Sequence, residues 1–119
     1  MSLKQAPEAS SLPPAEPVEL ATLVAYQNGG VVSRTLVKKH AGTLTVFAFD
    51  QGQALSEHTA PFDAIVQVLD GEAELVIGGK RVPARTGQTV LMPAKVPHAV
   101  NATTRFKMLL IMVREPSQS

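Results

Sequence analysis

Between residue 31 and residue 113 the chain is broken into short runs with a two-residue period, separated at regular intervals by glycine, proline or aspartate. The runs cover residues 31–38, 43–49, 64–69, 73–77, 81–85, 89–92, 98–103 and 106–113, and the punctuation includes Ala41-Gly42, Asp70-Gly71, Gly78-Gly79, Thr86-Gly87 and the stretch from Pro93 to Pro97. Alternating runs of this length bounded by turn residues read as strands. Gly78-Gly79 between two such runs is a two-residue hairpin signal, because primed turns need positive φ. Eight short strands with no helix between them predict an all-β sandwich or closed barrel rather than a parallel α/β sheet.

The remaining chain is of a different character. Residues 1–17 contain Pro7, Pro13, Pro14 and Pro17 among Ala, Glu and Ser, and read as a flexible tail. Leu20, Leu23 and Val24 are spaced for a short helix that Gly29-Gly30 would stop, so residues 18–30 are expected to form a short helix and linker. The barrel is then expected over 31–115, with a C-terminal tail at 116–119. At 119 residues the whole is one small domain.

Composition removes several functions. There is no cysteine, which excludes disulfides, thiolate metal sites and cysteine nucleophiles. A net charge of +1 gives no electrostatic reason to expect a nucleic-acid partner. The longest apolar run, residues 108–113, is far too short for a membrane-spanning helix, and no secretory signal is visible, so a cytoplasmic location is expected. Several runs are apolar on both faces: Ala64, Val66 and Val68 oppose Ile65 and Leu69, and Met108, Leu110 and Met112 oppose Leu109, Ile111 and Val113. A barrel needs only its inner face apolar, so the outer face needs a cover. A second copy of the chain would supply it, making a homodimer, with the N-terminal helix and tail as the alternative cover.

Two glycine-framed blocks carry the residues with chemical potential. The first contains Gly52, His58, Ala60, Asp63, Ala64 and Gly71; the second contains Gly87, Pro93, Lys95, His98, Asn101 and Ala102. Their spacing resembles the two-motif signature of the cupin family, over about residues 31–113. Gly52, His58 and Gly71 match the first motif, and Gly87, Pro93 and His98 match the second. The resemblance implies a cupin-type double-stranded β-helix, or jelly-roll barrel, and in metal-binding members an inward set of two histidines, a glutamate and a further histidine around one divalent ion. Here Ala60 stands at the second histidine position and Ala64 at the glutamate position. Lys95 replaces a glycine, and Ala102 an asparagine.

Only His58 and His98 remain as ligands, too few for an ordinary zinc site. Asp63, Glu57 and Asn101 lie one residue from ligand positions, so strand alternation points them outward unless a bulge intervenes. His40 is expected at a loop tip. Ser56, His58 and Asp63 include a hydroxyl, an imidazole and a carboxylate, but nothing marks Ser56 as a strained nucleophile, and the three read as polar residues beside a loop. Lys80, Arg81 and Arg85 read as charge on an edge strand.

The expected site is therefore a barrel pocket lined by His58, Ala60, Ala64, Val66, Met92, His98 and Met108, suited to a small, mostly apolar ligand oriented by two imidazoles. No cofactor is expected; if there is one, it is a single divalent ion (Ni, Zn, Mn or Fe) on His58 and His98. The alternatives are a metal-dependent enzyme of dioxygenase or isomerase type that recruits a third ligand, and a non-catalytic structural or interaction protein.

Overall fold

The computed structural model describes residues 2–5 and 12–115. Among the described residues ten strands form two sheets. β1 is Ser2–Gln5, β2 Gly30–Lys39, β3 Gly42–Phe49, β4 Ala54–His58, β5 Asp63–Asp70, β6 Glu72–Ile77, β7 Lys80–Arg85, β8 Thr89–Met92, β9 His98–Ala102 and β10 Phe106–Val113. The larger sheet runs β1-β2-β3-β10-β5-β8 and the smaller β4-β9-β6-β7. All pairings are antiparallel except β1 with β2. This is the expected all-β jelly-roll architecture.

Two strands escape the sequence pattern. β4 is short and ends in three exposed residues, so it shows no burial alternation. β1 lies within the stretch read as a tail; its backbone pairs Ser2 with Gly30 and Gln5 with Ser33. The rest of that stretch up to residue 11, and the expected C-terminal tail at 116–119, lie outside the described residues. The expected helix is corrected. Only Leu20–Thr22 forms a turn of 3-10 helix, with no side-chain cap and no buried residue in it. The segment packs its apolar side chains on the outer face of the sheet, and local propensity over so short a stretch is too weak to make a helix by itself.

Between the two sheets is a core of Val31, Phe49, Val66, Val68, Leu75, Val100, Phe106 and Met108 with their neighbours. Phe49 and Phe106 stack at 4.6 Å and fill one end of the barrel. Along β10 the inward residues run Phe106, Met108, Leu110 and Met112. The first belongs to the aromatic plug, while the last two are only partly covered. The barrel is thus solid at one end and loosely filled at the other. Gly71 is required at the turn into β6: its φ is +76°, and a Cβ there would sit 2.0 Å from the Arg105 carbonyl oxygen.

The larger sheet is apolar on its outer face as well, and much of the cover comes from the chain itself. Leu12, Leu20, Leu23, Val24 and Tyr26 pack on Val46, Ala48 and Leu109. A polar clamp holds this segment. Tyr26 donates its hydroxyl to Asp70, and Arg105 and Lys107 lie 5.3 Å and 4.9 Å from the Tyr26 ring centroid. Lys107 Nζ also donates to the Ala21 carbonyl. Arg105 reaches Asp50 at 2.8 Å and Asn28. The Gly29 N–H, followed by Arg105, holds the Asp50 carboxyl below its ordinary pKa. The cover is incomplete: Leu91 and Val113 remain exposed on the same outer face, next to the half-buried Ile65 and Ile111. Among the described residues no helix is long and apolar enough to cross a membrane.

Burial, reinforced by the bond to Asp70, raises the Tyr26 phenol above its ordinary pKa near 10. A group whose folded pKa is raised contributes stability below the unfolded value and loses it as pH climbs toward the folded one. Urea unfolding should therefore show stability falling from about pH 10 upward, the phenol's ordinary range. Tyr26→Phe should lower stability at pH 8 by about 1 kcal/mol and flatten that alkaline loss.

Candidate functional site

At the loosely filled end lies a cavity of about 310 Å³, enclosed by β4, β5, β8, β9, β10 and the loop between β4 and β5. His58, Ala60, Ala64, Met92, His98 and Met108 all line it. Val66, expected with them, does not: it is fully buried in the adjoining core, cross-strand from Leu110. The difference arises from depth, because Ala64 lies two residues nearer the open end on the same face. Leu55, Phe62, Val100, Leu110 and Met112 complete much of the wall, and the sequence alone did not point to them. Leu110 and Met112 were visible as an apolar alternation, but which end of β10 stays open depends on where the phenylalanines stack.

His58 is brought into the cavity by a bulge. β4 pairs Ala54 with Asn101 and Leu55 with Val100, then His58 with His98. Three steps along β4 thus match two along β9. Without the extra residue, alternation from the inward Leu55 would turn Glu57 inward and His58 outward. The bulge reverses this and sets the two histidines directly opposite each other, a known use of bulges beside functional sites. Their ring centroids are 4.4 Å apart, with the rings tilted at 68°. His98 is buried and His58 is exposed at the mouth.

Both rings are oriented through the same atom. His58 Nδ1 lies 3.0 Å from the Ser56 carbonyl oxygen, and His98 Nδ1 lies 3.1 Å from that of Val96. A carbonyl can only accept, so in the neutral form of each ring this contact puts the proton on Nδ1 and leaves Nε2 as the acceptor. Ser56 therefore serves His58 through its main chain, and no Ser-His-Asp relay is formed.

Asp63 is exposed, and its Oδ1 accepts the Ala94 N–H at 2.9 Å. Glu57 is exposed on the strand, Asn101 is half-buried opposite Ala54, and neither lines the cavity. His40 lies exposed in the turn between β2 and β3. Lys80, Arg81 and Arg85 are exposed on β7, an edge strand. Among the described residues no three of His, Cys, Asp or Glu come close enough to hold a metal ion. The usual four-ligand set is reduced to two imidazoles, with a methyl group at each of the other two positions. The residues present do not fit that metal.

The mouth is held by its two loops. The Lys95 N–H donates to the Ala60 carbonyl at 2.7 Å, beside the Asp63–Ala94 bond. Lys95 adopts a φ of +67°, the left-handed conformation for which a glycine at this place is suited. Arg114 lies over the outer Phe62 ring at 5.4 Å.

Comparison with known proteins agrees with this architecture. The family profile for the cupin domain matches residues 45–114. A conserved protein of unknown function from Streptococcus pyogenes is 36% identical, with a TM-score of 0.85 over 90% of this chain and 94% of its own. A cupin superfamily protein from Desulfitobacterium hafniense is 28% identical, with a TM-score of 0.83 over 88% and 96%. A cupin 2 conserved barrel domain protein from Leptotrichia buccalis is 44% identical, with a TM-score of 0.77; 79% of this chain matches 46% of that one. No curated protein matches.

The left-handed Lys95 costs about 1–2 kcal/mol, and glycine recovers this less its own chain entropy. Lys95→Gly should raise unfolding stability by about 0.5–1 kcal/mol in urea titrations, whereas Lys95→Ala should not.

Proposed function

The chain belongs to the cupin family, and from that premise we propose that it is a small-molecule-binding cupin that works without a resident catalytic metal. The observation that carries this reading is the cavity: about 310 Å³, walled by methionine, leucine, alanine and phenylalanine, with two imidazoles as convergent polar groups. That volume lies at the lower end of the range for small-molecule sites, and an apolar wall with a few fixed polar atoms is their usual composition. Ala60 and Ala64 supply the space and remove the donors that a divalent ion would need. The three methionines lend the wall adaptability.

The convergence of His58 and His98 favours one second reading, a metal-dependent enzyme of dioxygenase or isomerase type that takes its missing ligand from the substrate. The two readings separate by what the protein binds. Nickel, zinc, manganese or ferrous iron should leave the melting temperature of the protein unchanged, and elemental analysis should find no stoichiometric metal. A small uncharged apolar compound at a hundredfold excess over its Kd should stabilise the fold by about 2.7 kcal/mol. The double variant Ala60→His/Ala64→Glu restores four donors and should bind one divalent ion per chain. Stoichiometric metal on the unaltered protein, lost in His58→Ala, overturns the proposal in favour of the enzyme. A protein that binds neither metal nor small molecule is better read as a scaffold.

We also propose, independently of the pocket, that the protein is a homodimer through the uncovered strip of the larger sheet. Leu91 and Val113 are about half exposed there, at 53% and 49%, beside Ile65 and Ile111. Light scattering should give twice the mass of the chain, and Leu91→Lys/Val113→Lys should give a monomer that still melts cooperatively.

A further inference from the structure

The state of the two histidines narrows what the pocket can hold. Each Nδ1 is committed to a main-chain carbonyl, so each neutral ring offers its Nε2 lone pair. For His98 this lone pair is not sealed off. Among the described residues, Thr43 Oγ1 is the one buried side-chain nitrogen or oxygen atom left without a partner. Nε2 of His98 is not among the sealed atoms, and His98 is part of the cavity wall. His58 offers the same atom type from the opposite position at the mouth. Among the described residues, no lysine, arginine, aspartate or glutamate lines the wall.

An anion placed there would meet two lone pairs and no cationic partner, after losing its water, which is costly. A purely apolar guest would leave the His98 acceptor dry and unpaired, also at a cost. A molecule that donates a hydrogen bond avoids both penalties. We infer that the pocket selects a compact, uncharged ligand with an apolar body and a hydroxyl head, an alcohol or phenol, whose O–H donates to Nε2 of His98 beside His58. This rests on the small-molecule reading above and deepens it: the body fills the methionine-lined interior, and the hydroxyl is read by the imidazole acceptors, the Thr59 hydroxyl being the other side-chain polar group on the wall.

Three near-isosteric probes test it by titration calorimetry at pH 8: p-cresol, p-xylene and p-toluate. The expected result is p-cresol binding about tenfold tighter than p-xylene, with p-toluate undetectable; one hydrogen bond to an otherwise unpaired acceptor is worth roughly that factor. In His98→Phe the preference for cresol over xylene should fall to about one. Nitrogen-15 spectra of the unaltered protein keep the proposal falsifiable if that variant does not fold: they should show the His98 proton on Nδ1, and the Nε2 resonance should move on adding p-cresol. Equal binding of cresol and xylene leaves the apolar pocket standing and overturns the hydroxyl inference. Tighter binding of p-toluate, or a His98 proton on Nε2, also overturns it. No binding of any probe overturns the pocket reading, and the hydroxyl inference with it.

Discussion

A sheet that is apolar on both faces is stable only when both faces are covered, and this chain is organised around that requirement. The inner face of the six-stranded sheet packs on the smaller sheet through the stacked Phe49 and Phe106 and the valines around them. The outer face packs on the chain's own Leu12, Leu20, Leu23 and Val24. The two layers are coupled at β10, where Leu109 faces outward and Met108 and Leu110 face the barrel. Tyr26, Arg105, Lys107 and Asp70 clamp the outer layer at the plugged end, which leaves the other end of β10 to border the cavity.

The cavity follows from where large side chains stop. Phenylalanine fills one end of the barrel; alanines 60 and 64 and three methionines line the other. The polar side chains at that end are the Thr59 hydroxyl and two rings, both rings fixed by carbonyls two residues earlier in the chain. That shared arrangement makes them a matched pair on one wall, without the carboxylate and third imidazole that would complete a four-ligand set. The loops at the mouth are joined by main-chain and Asp63 bonds, so the opening is shaped by backbone rather than by long mobile side chains.

Much of the architecture was legible in the sequence because strand alternation and turn glycines are local signals. Residues 64–69, 73–77 and 106–113 are short apolar runs closed by turn residues, and Gly71 and Gly78 stand at turns of positive φ. β4 was not legible, since Ser56, Glu57 and His58 are all exposed and a bulge breaks its period. The short helix was misread because Leu20, Leu23 and Val24 meet the sheet from a single 3-10 turn, its C-cap and the next residue, which do not continue into an α-helix. Their spacing reflected that contact and not a helical stripe. Val66 was placed in the wall because it shares a face with Ala64; facing inward and lining a space are different properties when one end of a barrel is solid.

The sequence by itself determined the strand pattern, the family frame of Gly52, Gly71, Gly87 and Pro93, and the loss of two donors at Ala60 and Ala64. These follow from residue identity and spacing along one chain. Only the tertiary structure decided that the outer face is largely covered from within and that the open end lies opposite the phenylalanine stack. It alone turned His58 inward to meet His98, with each Nδ1 held by a main-chain carbonyl. Those outcomes depend on register between strands far apart in sequence, where one inserted residue in β4 changes which side chain faces the cavity.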